Sequence, residues 1–312
     1  MKQVTSLVLA GVIAAASLVS ARTFEERCAD IIGEDGAVAV MELASGRLIA
    51  ATNPQILFTQ RFPPGSLAKI MTATAAIDEG IGLPADFFCS GRQVINSDTL
   101  LCSVRDGHGK VDFDAALMES CNLYFQNLAR NLSCEQLASV YHELNLCERV
   151  GVGLPGEVES TILTPSTDSA KLSFAIGQGS AVQLTPVAAL SMISGFATGQ
   201  LLRPRLEAGP AVVLSSFPSE KALHRIRPLL RQAVRKGTGK GAELSFVEVA
   251  GKTGTSTVLG DWVTHGWFAG FAPYENPDIC IVVFLERGEG KDAAKIAGRI
   301  IAAYYGEEHA CD

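Results

Sequence analysis

An α/β chain of the α+β type, with a mostly antiparallel sheet flanked by helices and an inserted all-α subdomain, is the fold class the sequence predicts. Three observations carry it. Strand-like runs sit at both ends of the chain, near residues 36–53 and again between about 247 and 288. The stretch between them places apolar residues at helical spacing. The 312 residues, 47% hydrophobic and 19% charged, can bury a large core, and no repeat, low-complexity linker or second domain of comparable size interrupts them.

The opening "MKQVTSLVLAGVIAAASLVSA" has one lysine, an apolar run short for spanning a bilayer, and small residues at Val19, Ser20 and Ala21. It reads as a secretory signal cleaved after Ala21, or as the same segment kept as an uncleaved anchor. Residues 22–312 then form the folded part, with a helical subdomain at about 83–150. Export to the periplasm or cell envelope is the expectation, with membrane association only if the N-terminal segment is retained.

"GAVAVMELASGRLIAATN" alternates β-branched and apolar residues around Ser45-Gly46 and predicts a hairpin. A Pro63-Pro64-Gly65 turn follows. From Ser66 to about Ile81 the alanines, Met71 and Ile77 predict a buried helix ended by Gly80 and Gly82. "VDFDAALMESCNLYFQNLARNL" carries the helical spacing of the middle, among loops and short helices. "LTPVAALSMISGFATGQ" predicts a helix with Thr185 as N-cap, Pro186 in its first turn and Gly199 near its end. "VEVAGKTGTSTV", "GWFAGFAP" and "ICIVVFLERG" predict three strands, and "KDAAKIAGRIIAAYYG" a closing helix.

Without the first 21 residues the chain has 25 basic and 33 acidic residues, a net charge of −8. With no basic patch visible, that excludes a nucleic-acid partner. Eight cysteines in an exported chain predict disulfides, Cys89 with Cys102 first, then Cys134 with Cys147 and Cys28 with Cys311. No C-x-x-C spacing occurs and His108, His142, His224, His265 and His309 are scattered, so no metal site is expected. No phosphate-binding glycine pattern follows a strand, so no nucleotide cofactor is expected. His108 reads as a loop histidine, because neither Ser66 nor Ser120 sits in a G-x-S-x-G elbow.

Three short patterns fall in one order: Ser66-x-x-Lys69 opening a helix after a glycine turn, Ser120-Cys121-Asn122 near a helix start, and Lys252-Thr253-Gly254 inside a strand. A serine hydroxyl needs a base within reach, and the i,i+3 spacing puts Lys69 one turn from Ser66 on the same face. For lysine to act as that base its pKa must fall, through burial beside a second cation, for which Lys252 is the natural choice.

These three patterns, with "GVGLPGE" at 151–157, "AIGQGSAVQLTP" at 175–186 and "GWFAGFAP" at 266–273, make residues 36–305 resemble the transpeptidase domain of penicillin-binding proteins, a β-lactamase/transpeptidase-like fold. The resemblance implies a serine acyltransferase for D-Ala-D-Ala termini of peptidoglycan stem peptides, a DD-transpeptidase or DD-carboxypeptidase, working through a Ser66 acyl-enzyme and captured covalently by β-lactams. It implies catalytic roles for Ser66, Lys69, Ser120 and Lys252. Ser120 would relay a proton to the leaving amine and Asn122 would donate to the substrate amide. Lys252 and Thr253 would hold the terminal carboxylate, Gly254 would let the peptide lie on the strand edge, and the N–H groups of Ser66 and Thr255 would form the oxyanion hole. Gln178 would line the rim. Partner proteins of cell-wall synthesis would supply positioning to a near-minimal catalytic domain with no glycosyltransferase part.

Two alternatives stay open. A β-lactamase-type hydrolase would need fast deacylation, but "HELN" at 142–145 has the wrong spacing for the E-x-x-L-N segment of class A enzymes, and Asn122 stands where the lysine-dependent oxidase type prefers valine. A receptor that reports β-lactams or stem peptides by staying acylated would use the same Ser66.

Overall fold

The computed structural model describes residues 22–95, 98–144, 152–257 and 263–308. The expected leader, residues 1–21, and Cys147 and Cys311 of two expected disulfides lie outside them. Among the described residues no helix is long and apolar enough to cross a membrane.

The chain begins with α1 (Phe24–Ile32), closed at its start by a capping box between Thr23 and Glu26. The predicted hairpin follows as β1 (Gly36–Glu42) and β2 (Leu48–Ala51), then α2 (Pro54–Thr59), a single 3₁₀ turn at Gly65–Leu67 and α3 (Ala68–Asp78). The middle contains more than helices. Two antiparallel pairs, β3 (Phe87–Cys89) with β6 (Gly109–Val111) and β4 (Arg92–Ile95) with β5 (Asp98–Leu101), precede α4 (Phe113–Met118), α5 (Asn122–Ala129) and α6 (Cys134–Glu143). Strands of three and four residues leave too little periodicity to stand out from loop in the sequence.

Next come β7 (Thr161–Ile162), α7 (Asp168–Phe174), β8 (Val182–Gln183), α8 (Pro186–Thr198), β9 (Gln200–Leu202), β10 (Val213–Ser216) and α9 (Glu220–Arg235). Thr185 caps α8 through its hydroxyl, and Gly199 ends it in the left-handed conformation, as the sequence predicts. The chain closes with β11 (Ala250–Thr257), β12 (Thr264–Ala272), β13 (Ile279–Leu285) and α10 (Gly290–Glu308).

The main sheet is antiparallel in the order β11-β12-β13-β1-β2. Both faces are covered, which is why its central strands are apolar without interruption rather than alternating. Ala37, Ala39 and Met41 of β1 join Trp267, Val282 and Phe284 in one core, against α8 and the helical region. Val38 and Val40 join Phe268, Ile281 and Val283 in a second core under α1 and α10. Helix α8 is buried along twelve of its thirteen residues, so it is the central helix of the first core. β11 is left as a sheet edge, and the 3₁₀ turn that leads into α3 packs against it.

Candidate active site

The Pro-Pro-Gly turn before Ser66 is fixed by the sheet. The Pro63 carbonyl accepts from Ser256 Oγ at 2.7 Å and from Trp267 Nε1 at 3.0 Å. Gly65 has φ +55°, and a Cβ on it would lie 2.4 Å from the Thr255 carbonyl oxygen, so only glycine fits between the turn and β11. Ser66 is thereby set at the helix entrance directly against the edge strand.

Ser120 is positioned by a different device. It follows α4 with φ +64°, and the Cys121 N–H bonds back to the Ala116 carbonyl at 2.9 Å. That is the Schellman end of a helix, with serine in the left-handed place that glycine usually takes. The same turn starts α5 with Asn122.

Beneath the groove, Lys69 and Lys252 are both fully buried. Lys69 Nζ donates to Asn122 Oδ1 at 2.6 Å and to the Ser120 carbonyl at 2.5 Å, and lies 3.1 Å from Ser120 Oγ. Lys252 Nζ reaches the same hydroxyl at 2.9 Å and the Thr253 carbonyl at 3.2 Å. Burial draws the Lys69 pKa down to about 8, against an opposing pull from Cys102, Cys121 and Cys89. Burial, and then the Lys69 charge, push Lys252 well below the ordinary lysine range. The two amines share one buried hydroxyl, so charging both costs more than charging either.

Of the two causes expected for Lys69, burial is the one that lowers it; the charge acts in the other direction, with Lys69 depressing Lys252. Lys252 Nζ is directed at Ser120 Oγ and the Thr253 carbonyl. Asn122 Nδ2 donates to the Leu101 carbonyl at 3.2 Å. The reason for glycine at 254 is packing: a side chain there would meet the Pro64 carbonyl at 2.4 Å.

Above these lysines lies a cavity of about 400 Å³. Ser66, Ser120, Asn122, Gln178, Thr253 and Thr255 line it. Gln178 donates to the Thr255 carbonyl at 3.0 Å and accepts from the Thr257 N–H at 3.2 Å, so its amide pairs with the free edge of β11. In an antiparallel strand the N–H and C=O of one residue face the same side. The Thr255 N–H therefore points out from the edge beside the Gly65–Ser66 turn.

Sequence reasoning missed four lining residues: Ser103, Thr238, Glu289 and Lys291. Thr238 shares a 2.6 Å hydrogen bond with Thr253 Oγ1, and Lys291 pairs with Glu289 at 2.7 Å. Ser103, Thr238 and Glu289 come from turns and connections, where no periodicity marks them, and Lys291 comes from the first turn of α10. A larger cavity of about 520 Å³ near Ile77, His224 and Arg225 includes none of the predicted residues.

The Cys89–Cys102 disulfide is not formed. Cys89, Cys102 and Cys121 are all free thiols, and His108 points into their midst. Cys28 and Cys134 are likewise free, each with its expected partner outside the described residues.

An antiparallel sheet with an edge strand carrying Lys-Thr-Gly faces a serine at a helix entrance, which is the arrangement of a penicillin-binding-protein-type transpeptidase fold. The chain belongs to the penicillin binding protein transpeptidase domain family, whose model matches residues 36–305. It is 28% identical over 272 residues to stage V sporulation protein D of Bacillus subtilis, and 28% identical over 280 residues to the peptidoglycan D,D-transpeptidase MrdA of Acinetobacter baumannii. These matches cover 77% and 76% of this chain and 41% of each relative, so the chain spans less than half the length of either. Among solved structures, the Helicobacter pylori PBP2 in complex with MreC superimposes with a TM-score of 0.83 at 21% identity, over 92% of this chain and 63% of that one. A ceftriaxone acyl-enzyme of penicillin-binding protein A from Mycobacterium tuberculosis gives 0.80 at 20% identity, over 90% and 77%.

Proposed function

We propose that this chain is an exported serine D,D-acyltransferase that acts on the D-Ala-D-Ala end of peptidoglycan stem peptides. The observation that carries the reading is the hydrogen-bond chain Lys69–Ser120–Lys252, buried under a groove that also contains Ser66. Ser66 Oγ attacks the penultimate carbonyl carbon while neutral Lys69 takes its proton. The oxyanion that forms is met by the N–H groups of Ser66 and Thr255, and one such donor typically contributes about 3 kcal/mol to transition-state stabilisation.

Collapse of the tetrahedral adduct breaks the C–N bond. The leaving D-Ala amine takes a proton through Ser120 Oγ, which Lys69, carrying the proton it took from Ser66, resupplies across their 3.1 Å contact. The hydroxyls of Thr253 and Thr238 and the Lys291 ammonium, all facing the cavity, suit the leaving residue's carboxylate. A second stem's amine, or water, then resolves the ester. Relatives named peptidoglycan D,D-transpeptidase and a neighbour described as an acyl-enzyme of a β-lactam support this reading, as does an N-terminal segment of signal type. A cell-wall synthesis protein is the partner class, on the pattern of the PBP2–MreC complex.

Incubation of the purified chain with fluorescent penicillin tests it. A stable adduct on the wild type and none on Ser66→Ala is the expected result; rapid turnover of the drug indicates a β-lactamase, and an unlabelled wild type overturns the assignment. Release of D-Ala from a D-Ala-D-Ala pentapeptide, with and without an acceptor amine, separates enzyme from receptor.

A further inference from the structure

We propose that Cys89, Cys102, His108 and Cys121 form a structural Zn²⁺ site that holds the Ser120–Asn122 turn of the active site in place. The four ligand atoms lie within 4.8 Å of one another. Cys89 Sγ and Cys102 Sγ stand 3.6 and 3.4 Å from His108 Nδ1, and Cys102 Sγ stands 3.9 Å from Cys121 Sγ. Tetrahedral zinc with ordinary bond lengths puts sulfur and nitrogen about 3.6 Å apart and two sulfurs about 3.8 Å apart. A disulfide requires about 2.05 Å and uses sulfurs in pairs, whereas three sulfurs converge here on one imidazole.

The surrounding backbone is shaped for the same purpose. Gly107, next to His108, has φ +80°, and a Cβ on it would lie 2.0 Å from the Cys89 carbonyl oxygen. The Cys102 N–H donates to the Gly91 carbonyl at 2.8 Å, so the two ligand-bearing turns are locked together. Backbone N–H groups of Val104, Asn122 and Leu123 point at the Cys102 sulfur, and that of Tyr124 at the Cys121 sulfur. Such donors stabilise metal-bound thiolates by sharing their negative charge. Cys89 and Cys121 are fully buried, which shields the thiolates from oxidants. Loading replaces three S–H bonds by three S–Zn bonds and releases three protons; no electron is transferred.

Two ligands are directly continuous with the groove. Cys121 separates Ser120 from Asn122, and Cys102 precedes Ser103, which lines the cavity. Asn122 Nδ2 also bonds to the carbonyl of Leu101, next to Cys102. Ser120 holds a left-handed backbone that most side chains avoid, and an ion clamping the next residue offsets that cost. These residues therefore act on the reaction as positioning residues, through Ser120 and Asn122. The metal site stands on ligand geometry alone; its effect on acylation rests on the acyltransferase reading.

The test uses the full chain, reduced, stripped by chelator and titrated with Co²⁺. Thiolate-to-cobalt charge transfer and strong tetrahedral d–d absorption saturating at one equivalent, both abolished by Zn²⁺, are expected. Cys89→Ser and His108→Ala should weaken binding at least about 100-fold, while Cys134→Ser leaves it unchanged. Zinc-loaded protein should be acylated by penicillin at least about tenfold faster than stripped protein of the same circular dichroism. Absence of the cobalt spectrum from reduced wild type, or a metal-free Cys89–Cys102 disulfide in protein purified without reductant, overturns the site. Equal acylation with and without metal overturns the positioning role. A cobalt spectrum without any penicillin labelling removes the acyltransferase reading and leaves the metal site standing.

Discussion

Lys69 is the residue on which the proposed chemistry turns, because an ammonium cannot accept the serine proton. Its pKa, drawn down to about 8 by burial, makes the neutral amine a substantial fraction at neutral pH and the major form above about pH 8. The sign follows: the base is present above that pKa and lost as pH falls through it. The penicillin acylation rate constant should rise about tenfold per unit at lower pH and flatten near pH 8. Stopped-flow or gel-based labelling between pH 6 and 10 measures this. A profile that is flat throughout, or that keeps rising to the ordinary lysine range above pH 10, rules Lys69 out as the base. The nearby sulfurs oppose the shift, so their state bears on the same lysine.

The elements that carry the site differ in how plainly the sequence declares them. Long apolar runs such as Ile279–Leu285 and the capped helix Pro186–Thr198 are legible because their periodicity and caps are local. Ser66, Lys69 and the strand residues from Lys252 to Thr255 are legible because one helix turn or one strand holds each group together. The proposed metal ligands are not: 12, 5 and 12 residues separate them in order, across two strand pairs and a helix end too short to show a period. Ser120 belongs between these cases, since S-x-N is visible but its helix-ending geometry is not. That geometry makes a prediction at the α4–α5 junction. Ser120→Ala and Ser120→Gly both lose the shared hydroxyl, so both should slow acylation by about 10² to 10⁴. Only alanine keeps the left-handed strain, so the glycine variant should be more stable than the alanine variant by about 1 kcal/mol in urea. Equal stability of the two variants would show that the turn is not held in that conformation in solution.

Across the whole molecule, the sheet divides the interior into two cores with different duties, and the division can be tested. The core under α1 and α10 contains Ile300, fully buried and on the far side of the sheet from Ser66. The core on the helical side contains Phe125, also fully buried, whose ring lies 5.9 Å from Lys69 Nζ. Truncating either leaves a cavity in a close-packed interior, and each should cost about 2–5 kcal/mol of stability. Their effects on chemistry should part. Ile300→Ala removes support that the five strands can share, so its folded fraction should react with penicillin at the wild-type rate. Phe125→Ala removes a wall of the Lys69 site on the very helix that Asn122 begins, and displacement by about 1 Å there should slow acylation about tenfold to a hundredfold. Denaturation midpoints paired with acylation rates measured well below them provide the comparison. If both variants slow the reaction equally, the sheet transmits packing changes to the site, and the separation of the cores is one of location only.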